Sequence, residues 1–233
     1  MKKQFVVVGV GRFGSALLEN LAQCAQQVLV IDSNEKNIQM VNDNRLATLA
    51  VVADATNENV MRSLICSKDR SKCEYDVGVV CIGENIEASI LVTVLLKEIG
   101  VRKVIAKVTN DLHGKVLEKI LLVGAKGEDE IIYPYKDIAE LVATKLVRPN
   151  IQEEINLSAN HKFVRVSPPK KIIGKSLVDL NLRKFYEINV IGIKSANNDN
   201  VDFSVKPGRI IETGDTILAV MPSNMIDKFL KED

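Results

Sequence analysis

Val6-Val7-Val8-Gly9-Val10-Gly11-Arg12-Phe13-Gly14 is the stretch that decides the fold of this chain. A short apolar run ends in a Gly-x-Gly-x-x-Gly spacing, and the residues beyond it, apolar at 13, 17, 18 and 21, carry the period of a helix. A strand that passes into a helix through three glycines is the phosphate turn of a Rossmann-type domain. Gly9 permits the tight turn, Gly11 lets backbone approach a pyrophosphate, and Gly14 allows close helix–strand packing. The helix start offers unpaired N–H groups and the positive end of its dipole to phosphates. The glycine spacing alone is a weak signal. It gains weight from Asp32, 18 residues past Gly14 at the end of the next apolar run. That carboxylate can accept from ribose hydroxyls and would repel a 2′-phosphate, which disfavours NADP. Arg12 reads either as a solvated helix residue or as a guanidinium placed for terminal phosphates, in its own or a neighbouring subunit.

Working outward, apolar runs and helical periods alternate. Strands are expected at 28–31, 47–53, 77–82, 104–108 and 131–133, with helices at 35–43, 58–65, 86–99, 112–122 and from Pro134 to about 146. Gly100 should stop the third of these helices and Pro134 suits the first turn of the last. Continuous apolar strands alternating with helices imply a doubly wound α/β domain, a parallel sheet covered on both faces. Ligands in such sheets sit at the C-terminal strand ends. That places Asp32, Ser33 and Asn34, then Asp54, Ala55 and Thr56, then Cys81, Ile82 and Gly83, and finally Lys107 around one crevice. Asp54 reads equally as an N-cap of the helix near Glu58.

The character changes after Pro149. Residues 150–160 are polar, with an acidic pair at 153–154, and read as a linker between a first domain at 1–149 and a second at 161–233. The second part should be a small α+β domain, with strands at 162–166, 190–194, 201–205 and 216–221 and helices at 177–186 and 224–230.

Composition excludes several functions. Aromatic residues are 4% of the 233, with no Trp, which leaves no stacking platform for single strands. The net charge of +1, from 31 basic and 30 acidic residues, is not the footprint of a nucleic-acid binder. No secretory leader or membrane-spanning run is expected. Four cysteines at 24, 66, 73 and 81 include no Cys-x-x-Cys pair, so no metal site is expected. Cys24 and Cys81 read as small core residues. Cys66 and Cys73 flank a polar loop, where a cytoplasmic reading disfavours a disulfide. His113 and His161 stand outside any catalytic grouping and read as surface or capping residues. Gly174-Lys175-Ser176 ends like a P-loop, but Pro169 stands where that motif needs glycine. No catalytic residue is assigned.

The runs VVVGVGRFG at 6–14, VLVIDSNE at 28–35, VVADATNENV at 51–60, VVCIGENIEAS at 79–89 and HGKVLEKI at 113–120 resemble the N-terminal domain of the RCK family, regulators of potassium conductance. KSLVDLNLRKFYEINVIGIK at 175–194 and GDTILAV at 214–220 resemble the family's C-terminal domain. The resemblance is to the cytosolic gating subunits of bacterial potassium uptake systems of the Ktr and Trk type. It implies homodimers assembled into an octameric ring beneath a membrane-embedded potassium-translocating subunit, at the inner face of the cell membrane. It also implies a nucleotide, ATP or ADP or NAD(H), held at positions matching Gly9, Gly11, Arg12, Gly14, Asp32, Asn34 and Lys107. Some relatives bind cyclic di-AMP between C-terminal domains, at positions matching Leu182, Arg183, Asn189, Val190 and Pro207. Leu182 and Val190 read equally as core residues. Tyr135 replaces the acid of a cation-holding Pro-Glu-Lys-Asp run, and residues 121–128 make a longer connection than usual. The alternative from another class is a small NAD-dependent oxidoreductase, which lacks an acid–base group here.

Overall fold

The computed structural model describes residues 3–24, 26–66, 73–121 and 128–231. The chain divides into two compact units, Met1–Lys136 and Asp137–Asp233.

The first unit runs β1 (Gln4–Val8), α1 (Arg12–Gln23), β2 (Gln27–Asp32), α2 (Glu35–Asp43), β3 (Leu49–Val52), α3 (Glu58–Ile65), β4 (Val77–Val80), α4 (Ile86–Ile99), β5 (Lys103–Lys107), α5 (Asp111–Leu121) and β6 (Glu130–Ile132). All six strands are parallel, in the order β3-β2-β1-β4-β5-β6. The order reverses between β1 and β4, which opens a crevice at their C-terminal ends. Alternation along the strands sorts the core into two layers. Val6, Val8, Leu29, Ile31 and Val80 face Met61, Ile65, Leu96 and Leu117 of α3, α4 and α5. Val7, Val28, Val30 and Val79 face Leu18, Ile38 and Val41 of α1 and α2. Each helix start is set locally. The side chains of Asn34, Asn57 and Asn85 accept from the amides of Lys36, Val60 and Ala88 at the starts of α2, α3 and α4. Gly100 ends α4 with φ +92.

The second unit holds α6 (Pro134–Val147, which begins before the division), β7 (Ile151–Asn156), β8 (His161–Val166), α7 (Leu177–Leu180), α8 (Leu182–Tyr186), β9 (Asn189–Lys194), β10 (Val201–Asp202), β11 (Thr216–Pro222) and α9 (Ile226–Leu230). Its sheet is antiparallel, in the order β10-β9-β11-β8-β7, over a core that includes Val164, Leu182, Ile193, Ile217 and Phe229.

Residues 150–160 are therefore not a linker. Ile151–Asn156 is the edge strand of the second sheet, paired with β8. The acidic pair that reads as a solvated connector is half used in that sheet, since Glu154 takes ion pairs from Arg148, at 3.3 Å, and from Lys162. The single helix expected over 177–186 is two short ones, broken at Asn181 with φ +41. The expected strand at 201–205 is only Val201–Asp202. Most of the long connection at 121–128 lies outside the described residues, as does the polar loop 67–72.

Candidate nucleotide-binding site

The phosphate loop takes the shape its glycines require. Gly9 leaves β1 with φ +94, and its amide donates to Ile31 O at 2.9 Å. A Cβ on Gly14 would stand 2.2 Å from Gly9 O, so α1 starts hard against the turn. Gly11 differs from both. Its φ of −78 is open to any residue, and a Cβ there would meet nothing within 4 Å. The fold does not need glycine at position 11, but a ligand lying against the loop backbone does. Gly11 is the N-cap of α1 with no side-chain cap and no acid in the first turn. The first helical N–H groups are thus left for an anion. Arg12 is exposed, with no ion pair or side-chain hydrogen bond among the described residues. Phe13 turns partly into the core beside α1.

Asp32 does more than the sequence suggests. Its carboxylate accepts from Val10 N at 2.6 Å and from Asn34 N at 2.7 Å, bracing the phosphate loop against the turn after β2. Two of its acceptor positions are committed, and others stay open for ribose hydroxyls. Ser33 is exposed beside it. Asn34 spends its side-chain oxygen on the α2 amide of Lys36, at 2.9 Å.

After β3, Asp54 Oδ1 accepts from the hydroxyl of Thr56 at 2.7 Å and from its amide at 2.9 Å. These two bonds, the hydroxyl's first, hold the Asp54 carboxyl below its ordinary range. The cap of α3 is Asn57, not Asp54. Ala55 is buried beneath the turn.

The turn after β4 is packed against Lys107. Cys81 is buried, and burial pushes its thiol up to about 12. Ile82 is half-buried, with its amide 3.0 Å from where a Gly9 Cβ would be. A Cβ on Gly83 would lie 2.6 Å from Lys107 Nζ. Lys107 is 9% exposed and has no ion pair or hydrogen bond from its ammonium among the described residues. A buried ammonium without a partner is costly. An acceptor from a ligand in the crevice would offset that cost.

His113 is not the surface or capping residue expected from sequence. It is 1% exposed on the first turn of α5. Its Nδ1 accepts from Thr109 N at 3.3 Å, and its Nε2 has no partner among the described residues. Burial first, then the charge of Lys107, lowers its pKa. The spacing Asn110-Asp111-Leu112-His113, an N-cap followed by a first-turn residue, is the local signal for that inward position; Asn110 Oδ1 accepts from His113 N at 2.9 Å. The unfolded chain takes up this proton near the ordinary value of about 6.5 while the folded chain resists it. Stability should therefore fall as pH drops below that value, until the lower folded-state pKa is passed. Thermal melting of wild type and His113→Gln from pH 8 to 5 checks this. The variant should show a shallower loss below pH 6.5, and parallel curves would remove His113 from the account.

Val10 with Asp32, Gly9 with Ile82 and Gly83 with Lys107 join the turns after β1, β2, β4 and β5, and Asp54 and Thr56 follow β3 at the same edge of the sheet, while Phe13, Ala55 and Cys81 turn toward the core. The second set differs in exposure. Leu182 is 4% exposed in the core of the second unit, and Val190 packs against that core. Arg183, Asn189 and Pro207 are exposed, and Pro207 O accepts from Val178 N at 2.9 Å.

Comparison with known proteins follows the same two parts. Residues 5–134 match the TrkA-N domain and residues 163–232 the TrkA-C domain. The Ktr system potassium uptake protein C of Bacillus subtilis (strain 168) is 34% identical over 231 residues, covering 99% of this chain and 97% of its own length. The Ktr system potassium uptake protein A of the same organism is 35% identical over 230 residues, covering 99% and 96%. Among solved structures, the GsuK channel bound to NAD aligns over all of this chain with a TM-score of 0.64 at 10% identity. The match spans 41% of that chain.

Proposed function

This chain belongs to the family defined by a TrkA-N domain joined to a TrkA-C domain, and from that premise we propose that it is a nucleotide-controlled regulatory subunit of a potassium uptake system. The observation that carries the reading is the loop at Gly11: an uncapped helix start, with open space where the fold itself asks for no glycine. ATP, ADP or NAD(H) would lie across the switch point. Its phosphates would rest on residues 9–14 and a ribose on Asp32, while Lys107 would supply a cation to the far half. Ktr-type relatives, similar along nearly their whole length, support a membrane-embedded potassium-translocating partner. Among the described residues no helix is long and apolar enough to cross a membrane, so the chain would act from the cytoplasmic face through that partner.

Assembly into homodimers and then an octameric ring is supported by α6. That helix buries none of its residues within the chain and leaves Tyr135, Ile138, Leu141, Val142, Leu146 and Val147 exposed. Such a face is what a second copy would cover. The division of labour would follow the two units, with nucleotide taken by the first. Cyclic di-AMP would be taken at the second, by Arg183, Asn189 and Pro207, with Leu182 and Val190 supporting them from the core. A regulator is favoured over a small NAD-dependent oxidoreductase by the state of the crevice's candidate proton carriers. Cys81 is held protonated by burial and His113 is enclosed.

Arg12 sets the choice of ligand in this reading. A guanidinium contact to a terminal phosphate contributes roughly 1.5–3 kcal/mol, or about 10- to 100-fold in affinity. Arg12→Ala should weaken ATP by that factor and ADP much less, measured by calorimetry on the assembled protein. Equal losses for both nucleotides would count against the role.

A further inference from the structure

Cys66 closes α3 and Cys73 stands just before β4, and the two face each other as an antiparallel bridge. The amide of Glu74 donates to Ile65 O at 3.0 Å. That bond joins the residue before Cys66 to the residue after Cys73, which makes the cysteines a non-hydrogen-bonded pair. In such pairs the Cα atoms stand about 4.5 Å apart and the side chains lie on the same side. A disulfide spans Cα separations of roughly 4.4–6.8 Å. Both thiols are free, half-buried, and packed against the same core layer of the first unit.

We propose that Cys66 and Cys73 are a reversible dithiol–disulfide pair, oxidised within one chain by hydroperoxides. Cys66 loses its proton to solvent and the thiolate attacks the peroxide O–O bond, forming a sulfenic acid as the O–O bond breaks; the departing hydroxide or alkoxide takes a proton from solvent and leaves as water or an alcohol. Cys73 then attacks that sulfur. The S–S bond forms as the S–O bond breaks, and the departing hydroxide takes the Cys73 proton and leaves as water. Two sulfurs give up two electrons and the peroxide accepts them. Cys73 suits the second step. Burial pushes its thiol up, and the amide of Tyr75, which donates to the sulfur at 3.4 Å, works the other way and favours the thiolate that makes this attack. A reducing compartment opposes a permanent disulfide. A transient one is the kind a reducing compartment permits. The bond would fix the C-terminal end of α3, whose other end opens at Asn57, directly after the crevice turn 54–56.

The test uses the full chain, reduced, then treated with hydrogen peroxide, alkylated with N-ethylmaleimide and digested without reductant. Trypsin cuts after Lys68, Arg70 and Lys72, so only a disulfide keeps the Cys66 and Cys73 peptides together. The expected result is a loss of alkylation at both, with the two peptides linked and lighter by two hydrogens. Dithiothreitol should restore both thiols, and Cys66→Ser should return Cys73 to full alkylation. Alkylation of both cysteines in the oxidised wild type would overturn the proposal. So would a link from either to Cys24 or Cys81, or between two chains.

Discussion

Gly11→Asp is expected to abolish nucleotide binding while leaving the fold as stable as before, or slightly more so. The two halves of that expectation come from the same geometry. Position 11 has φ −78, and a Cβ there meets nothing within 4 Å, so the side chain costs the folded chain no strain. It is also the N-cap of α1, which lacks a side-chain cap. Aspartate is among the best capping residues, better than glycine by a few tenths of a kcal/mol. The new carboxylate would accept from the first helical N–H groups and cancel the positive end of the dipole. Those are the donors a phosphate would use. Losing two charge-assisted hydrogen bonds, each roughly 1.5–3 kcal/mol, lowers affinity by more than about a hundredfold. Calorimetry with ATP, ADP and NAD, paired with thermal melting of the apo protein, reads both halves. Retained affinity would remove the loop from the site. Lost affinity together with lost stability would contradict the geometry.

Gly14→Ala should do the reverse and damage the fold first. A Cβ at 14 would lie 2.2 Å from Gly9 O and 3.2 Å from Gly9 C, both backbone atoms. Neither side can give easily. Gly9 is held by its hydrogen bond to Ile31 O, and a Cβ on it would already sit 3.0 Å from Ile82 N. The start of α1 would have to lift off the sheet, carrying Leu18 out of a site where it is 0% exposed. Overpacking of this kind costs about 3 kcal/mol. Urea denaturation followed on the first unit should show that loss for Gly14→Ala and almost none for Gly11→Ala. Equal stabilities would mean that the two glycines are not divided between packing and ligand as described.

Much of this is legible in the sequence. Strands buried on both faces read as continuous apolar runs, and α2, α3 and α4 have the expected limits because asparagine caps and Gly100 mark them locally. The crevice was legible because parallel topology sends every βα turn to one edge of the sheet. What escaped the sequence depended on partners far along the chain. Ile151–Asn156 looks solvated until β8 pairs with it and Lys162 meets Glu154. Asp32 reads as a ribose ligand, but its bracing bond to Val10 N joins residues 22 apart. His113 carries a polar side chain that sequence places outside, whereas the first turn of α5 turns it inward. For Leu182 the sequence leaves an effector contact and a core residue equally open, and only the packing of its own unit, which encloses it, decides.

In the proposed function, a nucleotide in this crevice would control potassium flux through a membrane partner. A ligand shifts a two-state assembly only by its difference in affinity for the two states. ATP and ADP differ at the terminal phosphate, and in the proposed reading Arg12 would be the side chain that detects it. The measurement is potassium flux in liposomes containing a Ktr-type translocating subunit, with purified wild-type or Arg12→Ala protein and either nucleotide added. ATP is expected to raise flux over ADP with the wild type. The variant should assemble and bind ADP but give the same flux with both. Full ATP activation by the variant, or wild-type flux indifferent to nucleotide, would contradict it.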